Sequence, residues 1–160
     1  MKKIILTTGL FLIGIVSFSQ EIKKNGTIYI NHPYIDVVNK TIKAYMTKDD
    51  AAFMKIYSDT AKFWASGMAK PIGITEAIKM WNSDFDYYDD IKIIPVGYPD
   101  YLNYIDQDQK YVQSWWQWVG KSKKTGTDVT IDYVQFDRFN NDGKIDFESI
   151  YGDFSKMVKE

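Results

Sequence analysis

The sequence predicts an α+β domain in which one curved, antiparallel sheet carries helices on one face. Three observations predict it. Apolar residues recur at helical spacing through the first half of the chain, and the spacing changes to two after residue 90. An Asp-Gly pair near the C-terminus then marks a tight hairpin. With 160 residues there is room for one domain, and 45% hydrophobic against 26% charged residues supports a packed core rather than disorder.

The elements follow in order. Lys2 and Lys3 precede an uncharged, mostly apolar run at residues 4–16, and Ser17-Phe18-Ser19 supplies small residues for cleavage. This is the pattern of an export signal over residues 1–19, with the mature chain starting at Gln20 in the periplasm or outside the cell. The apolar run falls short of the roughly 20 residues a bilayer span needs, so no membrane span is expected once the signal is removed. Residues 20–32 read as a flexible lead-in with an edge strand around 27–30, and residues 33–160 as a single domain. Pro33 suits a first helical turn, and Ile35, Val38, Ile42 and Tyr45 follow on one stripe. Asp49 or Asp50 can cap a second, short helix carrying Phe53, Ile56 and Tyr57. A strand is expected at 60–65 and a turn region at 67–73. The third helix carries Ile74, Ala77, Ile78, Trp81 and Phe85. Strands are expected at 91–96, 111–119, 127–139 and 144–151, the last two joined through Asn140-Asn141-Asp142-Gly143.

Composition excludes several function classes. There is no Cys, so thiolate metal sites, disulfides and cysteine nucleophiles are out, and one His cannot build a histidine zinc site or a Ser-His-Asp triad. A formal charge of −1 offers no basic footprint for nucleic acid. Without Lys2 and Lys3 the balance is 18 basic against 21 acidic residues, a formal −3. The acidic stretch at 137–146 fails as an EF-hand, because Arg138 and Ser149 stand where acids are required. No metal and no cofactor are expected.

Three stretches carry a family resemblance. They are Ala44-Tyr45 through Lys48-Asp49-Asp50 to Tyr57-Ser58-Asp59, then Gly73-Ile74-Thr75-Glu76-Ala77-Ile78, and last Asn140-Asn141-Asp142-Gly143-Lys144-Ile145 with Tyr151-Gly152-Asp153. Their order resembles the SnoaL-like branch of the nuclear transport factor 2-like superfamily. The resemblance implies a conical sheet, antiparallel or mixed, wrapped around three N-terminal helices. It further implies a pocket in the cone and frequent dimers through the outer sheet face. Members host isomerases, dehydratases, cyclases or only a bound ligand, so the fold leaves the activity open. Members that are enzymes often set a His or Arg beside the acid. Here the only His, His32, precedes the first helix and the only Arg, Arg138, lies at the hairpin.

Strand alternation then proposes which residues face the pocket. Gly143, Ile145, Phe147, Ser149, Tyr151 and Asp153 share one face of the last strand. A two- or four-residue hairpin loop sets them beside Asp132, Val134 and Phe136, whereas one slip or bulge would turn each strand over. Val112, Ser114, Trp116 and Trp118 form the more apolar face of their strand. Trp115, Gln113 and Gln117 then face outward, the expected homodimer surface. Tyr45, Trp81, Phe85, Trp116, Trp118, Phe147 and Tyr151 are the expected ligand-binding residues. Asp153 and Asp132 could work as an acid and base pair with Tyr151 donating to an oxyanion. Three readings follow: a binder of a small hydrophobic or amphipathic molecule, a cofactor-free acid–base enzyme, or an interaction module whose cone is filled by its own aromatics.

Overall fold

The computed structural model describes residues 24–157. The expected leader at 1–19 lies outside the described residues. In chain order the elements are β1 (Gly26–Tyr29), α1 (Pro33–Thr47), α2 (Asp50–Ile56), β2 (Tyr57–Ala65), β3 (Ile72–Gly73), α3 (Ile74–Tyr87), β4 (Tyr88–Pro95), β5 (Asp100–Tyr104), β6 (Gln109–Ser122), β7 (Asp128–Phe139) and β8 (Ile145–Gly152). The sheet runs β1-β5-β6-β7-β8-β2-β3, and β4 pairs with the C-terminal half of β6. All pairs are antiparallel except β2 with β8, so the sheet is mixed.

Local chemistry sets the helix ends. Pro33 occupies the first turn of α1, and His32 Nδ1 accepts from the Tyr34 amide at 3.2 Å as its cap. α1 stops where Lys48 turns left-handed at φ 53, and Asp49 N–H then closes on Ala44 O at 2.9 Å. Asp49, rather than Asp50, caps α2 by accepting from Ala52 N–H at 2.9 Å. The strand expected at 60–65 begins earlier, so Tyr57 opens β2 instead of extending the helix face. The sequence pattern predicts no strand at β5, which is short and has Asp and Asn among its five residues.

The helices bury their stripes on the concave side of the sheet. Val38 of α1, Phe53 of α2 and Ala77 of α3 meet Val112 of β6 and Ile145 of β8, all nearly inaccessible to solvent. β6 faces as its alternation predicts, with Val112, Ser114, Trp116 and Trp118 buried and Gln113, Trp115 and Gln117 on the outer side.

The β7–β8 hairpin corrects the expected facing. Arg138 pairs with Phe147, Phe136 with Ser149 and Val134 with Tyr151, which is the predicted pairing of even with odd positions. That shared face, however, is the outer one. The reason is a bulge: Phe139 pairs with Ile145 but its neighbour Arg138 pairs with Phe147, leaving Asp146 as an extra residue. Ile145 points inward as expected. Beyond the extra residue the alternation inverts, and Glu148 and Ile150 turn inward with Gln135 and Asp137 while Phe147 and Tyr151 turn out.

Candidate functional site

A cavity of about 260 Å³ lies between the helices and the concave sheet face. Its size sits just below the roughly 300–1,000 Å³ of sites for drug-sized ligands, so an occupant would be small. α1 contributes Tyr45, α2 Phe53 and α3 Trp81, while Tyr57, Trp118 and Glu148 come from β2, β6 and β8. The aromatic rings brace one another: Trp81 lies 5.1 Å from Phe53 and 5.1 Å from Phe63, edge-on in the second case.

Two polar groups interrupt this apolar wall. On the helix side, Trp118 Nε1 donates to Tyr45 Oη at 2.8 Å, and Tyr45 Oη donates to Asp84 Oδ2 at 3.0 Å. Burial and the Asp84 charge hold the Tyr45 phenol well above its ordinary range. On the sheet side, Tyr57 Oη donates to Glu148 Oε2. Asp137 stands directly across from Glu148 on β7, and the Gln135 amide donates to both Asp137 oxygens at 3.1 and 2.9 Å. Like charges opposite each other in a sheet repel, and here both carboxyls are almost fully buried. Burial pushes Glu148 up to about 7, against which the Tyr57 hydrogen bond works. Burial, then the Glu148 charge, pushes Asp137 well above the carboxylate range. The Tyr57 and Tyr133 phenols are raised first by burial and then by these two acids.

This arrangement places a carboxyl that exchanges its proton near neutral pH on the wall of a largely apolar cavity, which suits it to proton transfer. No group of three or more metal-ligating side chains occurs among the described residues. No helix among them is long and apolar enough to cross a membrane.

The sequence-predicted residues divide sharply. Tyr45, Trp81 and Trp118 line the cavity. Phe85 packs on Tyr45 at 5.2 Å, and Trp116 is buried and inward but bonded to Ser114 Oγ at 2.8 Å, away from the cavity wall. Phe147 lies on the outer face beneath the Arg138 guanidinium, 5.5 Å away. Tyr151, also outer, is half exposed and packs against Trp64 at 5.2 Å. Asp132 is exposed on the same face and accepts from Gln117 Nε2 at 2.8 Å. Asp153 is exposed and caps a short 3-10 turn, Phe154–Lys156, where bonds from Ser155 hold it below the usual carboxylate range. Asp132, Asp153 and Tyr151 therefore do not meet inside the cone. The carboxyls that do meet there, Glu148 and Asp137, are not marked by strand alternation, because their facing depends on the Asp146 bulge.

Comparison with known proteins follows the geometry. A family model for the SnoaL-like domain matches residues 38–147. No curated protein matches the sequence. Among solved structures, PrhC from Penicillium brasilianum NBRC 6234 superposes with a TM-score of 0.62 at 9% identity, over 80% of this chain and 85% of that one. An NTF2-like protein of unknown function from Exiguobacterium sp. 255-15 gives 0.56 at 24% identity, over 73% and 98%. A hypothetical protein with a ketosteroid isomerase-like fold from Catenulispora acidiphila DSM 44928, in complex with trimethylamine, gives 0.58 at 10% identity, over 72% and 84%. At these identities the likeness is one of fold.

Proposed function

The chain belongs to the SnoaL-like domain family, and from that premise we propose that it binds a small, largely apolar molecule in its cone, held at the sheet side by Glu148. One observation carries this reading: an aromatic cavity of about 260 Å³ remains between helices and sheet, beside a core whose residues are buried. A cone filled by its own aromatics would have closed that space. The test is native mass spectrometry of the full chain, recovered after export from a bacterial host without detergent, beside an Ile150→Trp variant whose indole fills the cavity. A reproducible retained mass in the native chain and its loss from the variant are expected. A retained mass that survives Ile150→Trp, or no retained mass in the native chain, overturns the reading.

A second reading, a cofactor-free acid–base enzyme of isomerase, dehydratase or hydrolase type, is favoured by the Glu148 carboxyl at about 7. Glu148→Gln should then abolish turnover while the retained mass persists. We further propose that residues 1–19 direct export and that the outer sheet face forms a homodimer. Support for the dimer is the aromatic character of that face, where Trp115, Phe136, Tyr151 and Trp64 lie on neighbouring strands.

A further inference from the structure

Five of the hydrogen-bond donors around the cavity are committed to the protein, while Ser66, Trp81 and Tyr133 also bring donor groups to its wall. Trp118 gives its proton to Tyr45 and Tyr45 to Asp84, both within 3.0 Å. Thr41 gives its own to Val38 O at 2.8 Å, and Tyr57 gives its own to Glu148. Gln135 spends its amide hydrogens on Asp137 and retains only a carbonyl acceptor toward an occupant. The ionic side chains on the wall are Asp84 and Glu148, and among the described residues no Lys, Arg or His lines it. The remaining wall is apolar and includes the rings of Tyr45, Phe53, Trp81 and Trp118, a type of group whose quadrupole attracts a cation. An occupant thus meets negative charge with no positive group to balance it, beside aromatic rings.

We infer that the cavity selects an organic cation, a small amine whose ammonium hydrogens reach the Glu148 carboxylate while its apolar body lies against the aromatic rings. Carboxylate ligands are excluded by like charge, and neutral ligands forgo the charge-assisted bond. The inference rests on the reading of the cone as a ligand site and names the class of ligand. The groups facing Glu148 all share its sign or are neutral: Asp137 and Tyr133 from β7, Tyr57 from β2, and Asp84 and Tyr45 across the cavity. A bound cation relieves their repulsion and draws the proton off Glu148, so binding releases a proton near neutral pH.

The experiment compares three probes of nearly equal shape on the full mature chain: benzylamine, benzyl alcohol and benzoate, each titrated by calorimetry. A charge-assisted bond predicts benzylamine tighter than benzyl alcohol by roughly tenfold or more at about pH 8, with benzoate weakest. The benzylamine affinity should fall severalfold as Glu148 takes up its proton toward about pH 5.5, while the benzyl alcohol affinity stays level. Glu148→Gln should bring the amine to the level of the alcohol. The pH series on the native chain stands even if that variant fails to fold. Benzyl alcohol or benzoate binding as tightly as the amine overturns the cation inference and leaves the cavity reading intact. Absence of binding by all three probes overturns both.

Discussion

Glu148→Gln should flatten the dependence of stability on pH. In the folded protein burial raises the carboxyl from 4.5 to about 7. Between those values the native state holds a proton that the unfolded chain has lost. Stability is therefore greatest below 4.5 and declines as pH rises to about 7. At about 1.4 kcal/mol for each pH unit, the interval corresponds to about 3 kcal/mol lost between the protonated and ionised limits. For a domain of this size that is about 10 °C in Tm. Asp137 adds to the same slope, because its carboxyl is raised by burial and by Glu148. His32 acts with the opposite sign: burial lowers its pKa, so its contribution grows as pH rises toward 6.5. Glutamine keeps an oxygen to accept from Tyr57 and removes both the buried charge and its repulsion of Asp137. Urea unfolding followed by Trp fluorescence, at about pH 5 and about pH 8, reads the difference. The native chain should lose about 3 kcal/mol across that window and the variant much less, leaving the variant the more stable of the two at the higher pH. Equal slopes in the two proteins would refute the placement of a strained, buried carboxyl at Glu148.

Other substitutions test the frame around the site. Asp49→Ala removes the cap on α2 and should lower stability by about 1 kcal/mol in the same urea assay. Gly120→Ala would bring a methyl group to 2.5 Å from Trp118 Cη2, so the indole must leave its place beside Tyr45. A cost of about 1–3 kcal/mol and an altered near-UV circular dichroism spectrum are expected. Trp115→Asp sets a charge in the proposed interface and should halve the mass found by sedimentation equilibrium, with the far-UV spectrum unchanged.

Much of the fold is legible in the sequence because the signals are local. Apolar residues at three and four place α1 and α3, Asp49 and Pro33 mark helix starts through their own backbone chemistry, and the strict alternation in β6 assigns both of its faces. The cavity aromatics Tyr45, Trp81 and Trp118 come from these same elements and were visible for the same reason. β8 is different. Its residues Ile145, Phe147, Ile150 and Tyr151 put apolar groups on both faces, so alternation alone cannot say which face is buried. One extra residue in the pairing, Asp146, decides it by reversing the side chains that follow. Only the tertiary structure, through that reversal and the cross-strand register with β7, buries Glu148 opposite Asp137 and sends Asp132 and Tyr151 to the surface. The acids' altered chemistry has the same origin, since a carboxyl's pKa depends on the water it loses and the charges it faces, and both are set by strands far apart in the chain.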